Sequence, residues 1–182
     1  MSAKVSLFLF ILVTKNSYFQ LSVPDNGAEG HLSLEADVNW CLDGKHAGQG
    51  VAIGLAECSR GGDTNFMLSW HEDIRQGRGK NEINKHKMCL DCIGKNSQVT
   101  MWECHGQGGN QLWKYDPDTF TVRHALSGGC LTGEISSSKV SVSDCRGTPE
   151  QRWHWAHTNS TQLKMFNKDP RNAVLVKEID EI

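Results

Sequence analysis

Five side chains between positions 91 and 111 have the chemistry needed to hold a ring rich in hydroxyl groups. They are Asp91, Trp102, His105, Asn110 and Gln111. A carboxylate accepts hydrogen bonds from paired hydroxyls, an indole stacks on the apolar face of such a ring, and an amide both donates and accepts. Asp91, Trp102 and Asn110 supply these three functions, and His105 adds an imidazole. The set therefore predicts a shallow binding site.

Each of these side chains also has a purely structural interpretation. Asp91 could cap a turn, Trp102 could belong to the core, and Asn110 could occupy a left-handed turn position. His105 alone fits either interpretation. Three glycines would let the chain fold back so that Asn110 approaches Asp91: Gly106, Gly108 and Gly109. The binding interpretation depends on the set as a whole.

The elements that would position this set form three copies of one unit. Each copy contains a cysteine pair: Cys41 and Cys58, Cys89 and Cys104, and Cys130 and Cys145. Near-equal spacing repeated three times is not expected of free thiols. It predicts three short-loop disulfides and an oxidising compartment, with Cys92 left unpaired.

The copies differ in how well they preserve a second motif. Copies two and three continue to a Gln-x-Trp motif, Gln111-Leu112-Trp113 and Gln151-Arg152-Trp153. We interpret the Trp of each motif as an anchor in the core. Copy one lacks the motif. If Asn65 matches Asn110, Phe66 and Leu68 take the places of the Gln and the Trp.

Apolar residues alternate in the strand before each second cysteine. The pairs predicted to face a shared core are Ile53 and Leu55, Val99 and Met101, and Val140 and Val142. The residue two places before each cysteine points the other way. One such unit cannot bury its apolar face alone, but three units closed around a pseudo-threefold axis can. The sequence therefore predicts an all-β fold, a β-trefoil with short N- and C-terminal extensions.

These residues resemble the ricin-type lectin domain. Cys89-Leu90-Asp91, followed by the segment from Trp102 to Asp116, looks like the C-terminal lectin domain of the polypeptide N-acetylgalactosaminyltransferases. The segments 70–75 and 157–161 are similar to stretches of the glycopeptide-preferring branch of that family. The resemblance covers about residues 38 to 167.

The resemblance implies a function for the second copy. It places Asp91, Trp102 and Asn110, together with His105 and Gln111, at the positions that contact sugar. The implied partner is N-acetylgalactosamine on a glycan or glycopeptide, with no cofactor and no metal. The family's catalytic domain, with its Asp-x-His manganese site, is absent from this chain, so no enzyme activity is expected of it. An alternative is that the chain is the C-terminal fragment of a Golgi transferase, partnered by its catalytic domain.

The other two copies have lost different parts of the set. Copy one keeps Asp43 but has Ala56 in the place of the indole. Copy three has Thr132, Ser143 and Glu150 in the places of the acid, the indole and the amide. We therefore expect copy three to be structural only. For copy one, weak binding is the alternative to the expected absence of binding.

Charge and composition exclude some functions. The formal net charge of −2 gives no basic surface for nucleic acid. Trefoil protease inhibitors and growth factors lack the repeated cysteine and Gln-x-Trp motifs. His154 and His157, and the segment 71–73, are predicted to lie on solvated faces, since nothing completes a metal-ligand set.

The ends of the chain suggest the secretory pathway, either the Golgi lumen or secretion, with the Golgi membrane as the location of a full-length transferase. Residues 1–37 are predicted to be a signal-peptide-like or unstructured extension, because Lys4 precedes an apolar run over 5–13. Residues 38–157 are predicted to form the trefoil and 158–182 a tail. Asn159-Ser160-Thr161 is a glycosylation sequon.

Overall fold

The computed structural model describes residues 25–45, 48–58, 62–69, 71–77 and 87–167. The predicted signal segment over 5–13 and the end of the tail, 168–182, lie outside these ranges, as does Trp70. No helix in the described ranges is long and apolar enough to cross a membrane.

The described residues form thirteen strands in three groups, followed by one helix. The first group is β1 (Asp25–Leu34), β2 (Asp37–Asp43), β3 (Val51–Ala52), β4 (Gly54–Glu57) and β5 (Asn65–Ser69). The second is β6 (Ile74–Gln76), β7 (Met88–Asp91), β8 (Thr100–Glu103) and β9 (Trp113–Asp116). The third is β10 (Thr121–His124), β11 (Cys130–Glu134), β12 (Lys139–Ser143) and β13 (Trp153–Thr158), and helix α1 (Ser160–Asn167) follows.

Each group contains a hairpin closed by a disulfide, as the cysteine spacing predicts. The hairpins are β2–β4, β7–β8 and β11–β12, and the three bonds are Cys41–Cys58, Cys89–Cys104 and Cys130–Cys145. The Cα atoms of each pair lie 5.0 to 5.1 Å apart. Cys92 is a buried free thiol.

The remaining strands close into a ring. The last strand of each group meets the first strand of the next, through β5–β6, β9–β10 and β13–β1. Within the groups, β1 pairs with β5, Trp113 N donates to Glu72 O at 2.8 Å, and Trp153 N donates to Phe120 O at 2.7 Å. If β3 and β4 are counted as one strand interrupted at Ile53, each lobe has four strands. Three such lobes around one barrel are a β-trefoil, so the predicted fold class is confirmed.

The hairpins meet at the pseudo-threefold axis through equivalent residues. Ile53 N donates to Val99 O at 3.0 Å, and Val99 N donates to Val140 O at 3.2 Å. All three side chains are fully buried. The alternation in the sequence therefore identified the face that fills the core.

Large aromatic rings anchor each lobe in the core. Trp113 Nε1 donates to Leu90 O at 2.9 Å, and Trp153 Nε1 donates to Leu131 O at 3.0 Å. Phe66 is the matching fully buried ring of the first lobe. Gly77 N donates to Asn65 O in the same way that Ala125 N donates to Leu112 O. Asn65 is therefore equivalent to Leu112, and the next residue, Phe66, is equivalent to Trp113.

This register corrects the predicted alignment of the first repeat. Asn65 corresponds to Leu112 rather than to Asn110. Asp63 takes the Asn110 place, since its carbonyl accepts from Gly44 N as the Asn110 carbonyl accepts from Cys92 N. The first repeat lacks a Gln-x-Trp motif, so Asn65 was matched to Asn110 by residue type alone. That match lies two residues too late in the chain. The distance from the second cysteine to the buried ring is the better guide.

The predicted boundary at residue 38 is too late. β1 lies before it and pairs with β2, β5 and β13, and its Leu32 and Leu34 are fully buried. At the other end, Leu163 of α1 is also buried, so packing continues beyond the predicted end at 157. An alignment on cysteines cannot detect β1, because the strand precedes the first cysteine.

Candidate functional site

Asp91 and Trp102 lie on the same outward face of the β7–β8 hairpin. Asp91 pairs with Thr100, and Cys89 pairs with Trp102. Because side chains alternate along a strand, the acid and the indole are diagonal neighbours on one face. The intervening Leu90 and Met101 point the other way and are fully buried.

The carboxylate of Asp91 is held by two amides. Its Oδ2 accepts from Asn110 Nδ2 at 2.7 Å and from Gln111 Nε2 at 3.0 Å. The residue is only 6% exposed. No hydrogen bond to its Oδ1 is formed by the part of the chain that the structure describes. One oxygen is therefore fixed by the protein, and the other is the candidate acceptor for a ligand.

His105 orients Asn110. The backbone N–H of Gln107 donates to His105 Nδ1 at 3.0 Å, so the ring proton sits on Nε2. That Nε2 then donates to Asn110 Oδ1, 3.1 Å away. Asn110 Oδ1 is thereby occupied, and its Nδ2 is directed at Asp91. The second Nδ2 proton is a candidate donor to a ligand.

The turn that carries Asn110 depends on glycine. Asn110 lies in a short 3-10 turn over Gly109–Gln111, preceded by Gly108. The φ angles of Gly108 and Gly109 are 72° and 61°, in the left-handed region that favours glycine. The predicted fold-back of the chain onto Asp91 is therefore present.

Gln111 is a positioning residue rather than a ligand-facing one. Its Nε2 donates to Asp91 Oδ2 and to Glu103 O, at 3.0 and 3.1 Å, and its Oε1 accepts from His105 N at 3.1 Å. The side chain is buried. Gln151 makes the matching bonds in the third lobe, where its Nε2 donates to Asp144 O at 2.8 Å.

Trp102 does not belong to the core, since 43% of it is exposed. Its indole lies beside the first lobe, where a Cβ on Gly50 would stand 3.5 Å from Trp102 Cζ2. Gly50 N donates to Met101 O at 2.8 Å, and Val51 pairs with Met101. The loop of the first repeat therefore forms one wall behind the ring.

His124 is a part of the site that the sequence analysis missed. It is fully buried, its ring centroid lies 4.8 Å from that of Trp113, and its Nε2 lies 3.3 Å from the Asn110 carbonyl oxygen. Since a carbonyl only accepts, Nε2 carries a proton, and Nδ1 lies 2.9 Å from Ser127 Oγ. Burial lowers the pKa of His124 below its ordinary value, although the Asn110 bond and the charge of Asp91 oppose the shift. No spacing rule links position 124 to 110.

In the third lobe, the side chains at the equivalent positions form hydrogen bonds with one another. Thr132 Oγ1 lies 2.7 Å from Ser143 Oγ, and Gln151 Nε2 donates to both hydroxyls, at 3.1 and 2.9 Å. An open depression of about 830 Å³ covers this region. It offers neither a carboxylate at position 132 nor a ring at position 143.

The first lobe places two acids where the second lobe has an acid and an amide. Asp43 Oδ1 accepts from Lys45 N at 3.1 Å, and Asp63 Oδ1 accepts from Gln76 Nε2 at 3.1 Å. Ala56 pairs with Cys41 in the position of the indole. This lobe therefore lacks both the amide and the ring.

The acids at 72 and 73 are not on a solvated face, so that prediction is wrong. Glu72 and Asp73 are buried, and they form ion pairs with Lys114 and Arg75. Burial raises the pKa of Glu72, and the bond from Lys114 opposes the shift. Among the described residues, no three metal-binding side chains converge.

Comparison with known proteins gives a family match over the trefoil. The profile described as "Ricin-type beta-trefoil lectin domain" matches residues 29–153. Human polypeptide N-acetylgalactosaminyltransferase 10 is 37% identical over 137 residues, which cover 71% of this chain and 22% of that protein. N-acetylgalactosaminyltransferase 4 of Drosophila melanogaster is 31% identical over 154 residues, covering 79% and 23%. The chain thus spans less than a quarter of these relatives.

Two solved structures share the fold. GalNAc-T7, crystallised with UDP, GalNAc and Mn2+, superposes with a TM-score of 0.61 at 23% identity, covering 75% of this chain and 24% of that one. A non-toxic homologue of type II RIPs from Momordica charantia, in complex with alpha-methyl-D-galactoside, superposes with a TM-score of 0.58 at 16% identity, covering 75% and 49%.

Proposed function

This chain belongs to the family of ricin-type β-trefoil lectin domains, and on that premise we propose that its second repeat binds galactose-type sugars, N-acetylgalactosamine in particular. The observation that carries the proposal is the free Oδ1 of Asp91 beside an exposed indole. The first and third lobes do not offer this combination.

The chemistry of a galactose-type ring fits the three groups. Two neighbouring hydroxyls on one edge donate to Asp91 Oδ1, and one accepts from the remaining Nδ2 proton of Asn110. In such sugars the axial hydroxyl leaves an apolar patch on one face of the ring, which stacks on Trp102. His105 fixes the amide orientation that this arrangement needs.

The affinity for a monosaccharide is expected to be low. A few hydrogen bonds at a wet surface and one stacked ring give about 4–5 kcal/mol, which corresponds to a Kd near ~1 mM. A module of this strength acts through local concentration, either on a multivalent ligand or tethered beside a second site.

The relatives suggest the biological ligand. Their names describe enzymes that transfer N-acetylgalactosamine to polypeptides, and the ligand we propose is that sugar O-linked to Ser or Thr of a glycopeptide. The chain's role is binding rather than catalysis, in the lumen of the secretory pathway, the Golgi lumen included. The three disulfides support a non-cytosolic location.

A second candidate is that the chain acts as the lectin region of a transferase in mucin-type O-glycosylation, partnered by a catalytic domain. The partial coverage of the relatives favours it, since the alignment spans only 22% of the human protein. The mass of the native protein distinguishes the two. A band near that of a complete transferase would support the second candidate.

NMR titration of the full chain with N-acetylgalactosamine tests the binding proposal. We expect saturable shifts of the Trp102 indole signal, lost in Asp91→Asn and retained in the matched variant Asp43→Asn of the first lobe. Glucose, whose equatorial hydroxyl interrupts the apolar patch, should bind more weakly. A wild-type chain that shows no shift with any galactose-type sugar would refute the proposal.

A further inference from the structure

Asn159 lies at the junction between β13 and α1. It is followed by Ser160 and Thr161, and this is the single Asn-x-Ser/Thr triplet with a non-proline middle residue in the sequence. All three residues are exposed. The acceptor motif for N-linked glycans is therefore displayed on the surface.

Only one end of the Asn159 amide is used by the fold. Its Oδ1 accepts from Gln162 N at 3.0 Å, which caps the first turn of α1. Its backbone carbonyl accepts from Leu163 N at 3.0 Å, and its backbone N–H donates to Gly27 O at 2.6 Å. No hydrogen bond from Nδ2 is formed within the described ranges. The capping bond orients the side chain through its oxygen and does not use the nitrogen, and the residue as a whole is exposed.

We propose that Asn159 Nδ2 carries an N-linked glycan. The donor is a lipid-linked oligosaccharide diphosphate of the secretory pathway. A bond forms between Nδ2 and the anomeric carbon of the first sugar while the bond from that carbon to the diphosphate oxygen breaks. The diphosphate leaves with the electron pair of the broken bond, and the proton lost from Nδ2 passes to a base of the lumenal enzyme that transfers the oligosaccharide. The amide oxygen is unchanged, so the helix cap survives the modification.

The surface beside Asn159 has room for the first sugar. Asn159 lines a shallow depression together with Glu29, His157, Thr158 and Gln162. Their polar groups suit contacts with sugar hydroxyls, and the depression opens to solvent, so the rest of the glycan can extend away.

The glycan would lie on different elements from those of the proposed sugar-binding repeat. Helix α1 packs against β1, whereas Asp91 and Trp102 lie on β7 and β8. Attachment at Asn159 should therefore leave the affinity of the second repeat for N-acetylgalactosamine unchanged. It would also keep the α1 face of the molecule clear of any tightly packed partner.

Expression of the full chain behind a cleavable secretion signal in a eukaryotic cell tests the proposal. Intact mass is measured before and after peptide N-glycosidase treatment, on both the secreted protein and the lumenal membrane fraction, so that retention in the cell does not hide the result. We expect the wild type to lose mass and to carry a carboxylate at position 159 afterwards.

Two variants separate the motif from the helix cap. Thr161→Ala destroys the acceptor motif and leaves the Asn159 cap, and Asn159→Asp keeps a capping oxygen but has no Nδ2. Neither should lose mass on treatment, and both should melt close to the deglycosylated wild type. A wild-type chain that the glycosidase leaves unchanged in both fractions, while a host glycoprotein in the same sample is cleaved, would overturn the proposal. A mass loss that persists in Thr161→Ala would do the same.

Discussion

His105 Nε2 donates to Asn110 Oδ1 across 3.1 Å and so fixes which end of the amide faces Asp91. An asparagine side chain can flip by exchanging its oxygen and nitrogen, and a flipped Asn110 would point an oxygen at the carboxylate. The bond from His105 excludes that arrangement, because an imidazole N–H requires an acceptor. The amide of the proposed sugar site is thus oriented by the protein itself.

We expect His105→Ala to weaken binding of N-acetylgalactosamine about 5-fold, which corresponds to the loss of a hydrogen bond worth about 1 kcal/mol. The thermal midpoint should change little, because His105 is exposed. His105→Gln retains an N–H donor and should recover part of the affinity. NMR titration of both variants gives the numbers. Equal affinities for the Ala and Gln variants would contradict the orienting role.

The two tryptophans of the second lobe should separate binding from stability. Trp102→Ala removes the stacking surface, so we expect loss of measurable monosaccharide binding with a nearly unchanged unfolding midpoint. Trp113→Ala removes a fully buried anchor and should cost about 3–5 kcal/mol of unfolding free energy. Urea unfolding and sugar titration, run on both variants, check this. A strong loss of stability in Trp102→Ala would place the ring in a structural role.

Trp102 was predictable from sequence, whereas much around it was not. Alternation along β8 assigns Trp102 to the outer face, and the cysteine spacing assigns the hairpin that carries it. Both signals are local. The support from Gly50 and the bond from His124 join different lobes, and no spacing within one repeat encodes them. A single sequence shows neither.

The burial of charged side chains could not be predicted from the sequence either. Glu72 reads as a surface residue because its neighbours in the chain are polar, but Lys114 from β9 reaches it. β1 was missed for a related reason, since it pairs with strands from both ends of the chain. Long-range pairing determines these features, and local composition carries little information about it.

The buried His124 should make the fold sensitive to acid. Its pKa in the folded state is lowered by burial, below the ordinary value of about 6.5. The neutral ring is therefore the stabilising form. Its contribution is fully present above that ordinary value, and it is lost as the pH falls through the lowered folded-state pKa.

We therefore expect the unfolding free energy of the wild type to fall more steeply than that of His124→Gln as the pH drops below about 6.5. The buried Glu72 titrates in both proteins, so the difference between them isolates the imidazole. Chemical denaturation across this range measures it. Parallel curves for the two proteins would show that His124 does not change its protonation on folding.

The disulfides allow the site to be tested without touching a ligand-facing group. Cys89–Cys104 and Cys130–Cys145 close loops of the same separation, 15 residues, in equivalent hairpins. Replacing either pair by alanine should therefore cost a similar amount, roughly 2–4 kcal/mol on the chain-entropy argument. Only the first pair joins the strands that carry Asp91 and Trp102. We expect the double variant at 89 and 104 to lose sugar affinity, and the double variant at 130 and 145 to keep it, when both are titrated below their unfolding midpoints. If both lost affinity equally, binding would depend on the stability of the whole trefoil rather than on the geometry of one hairpin.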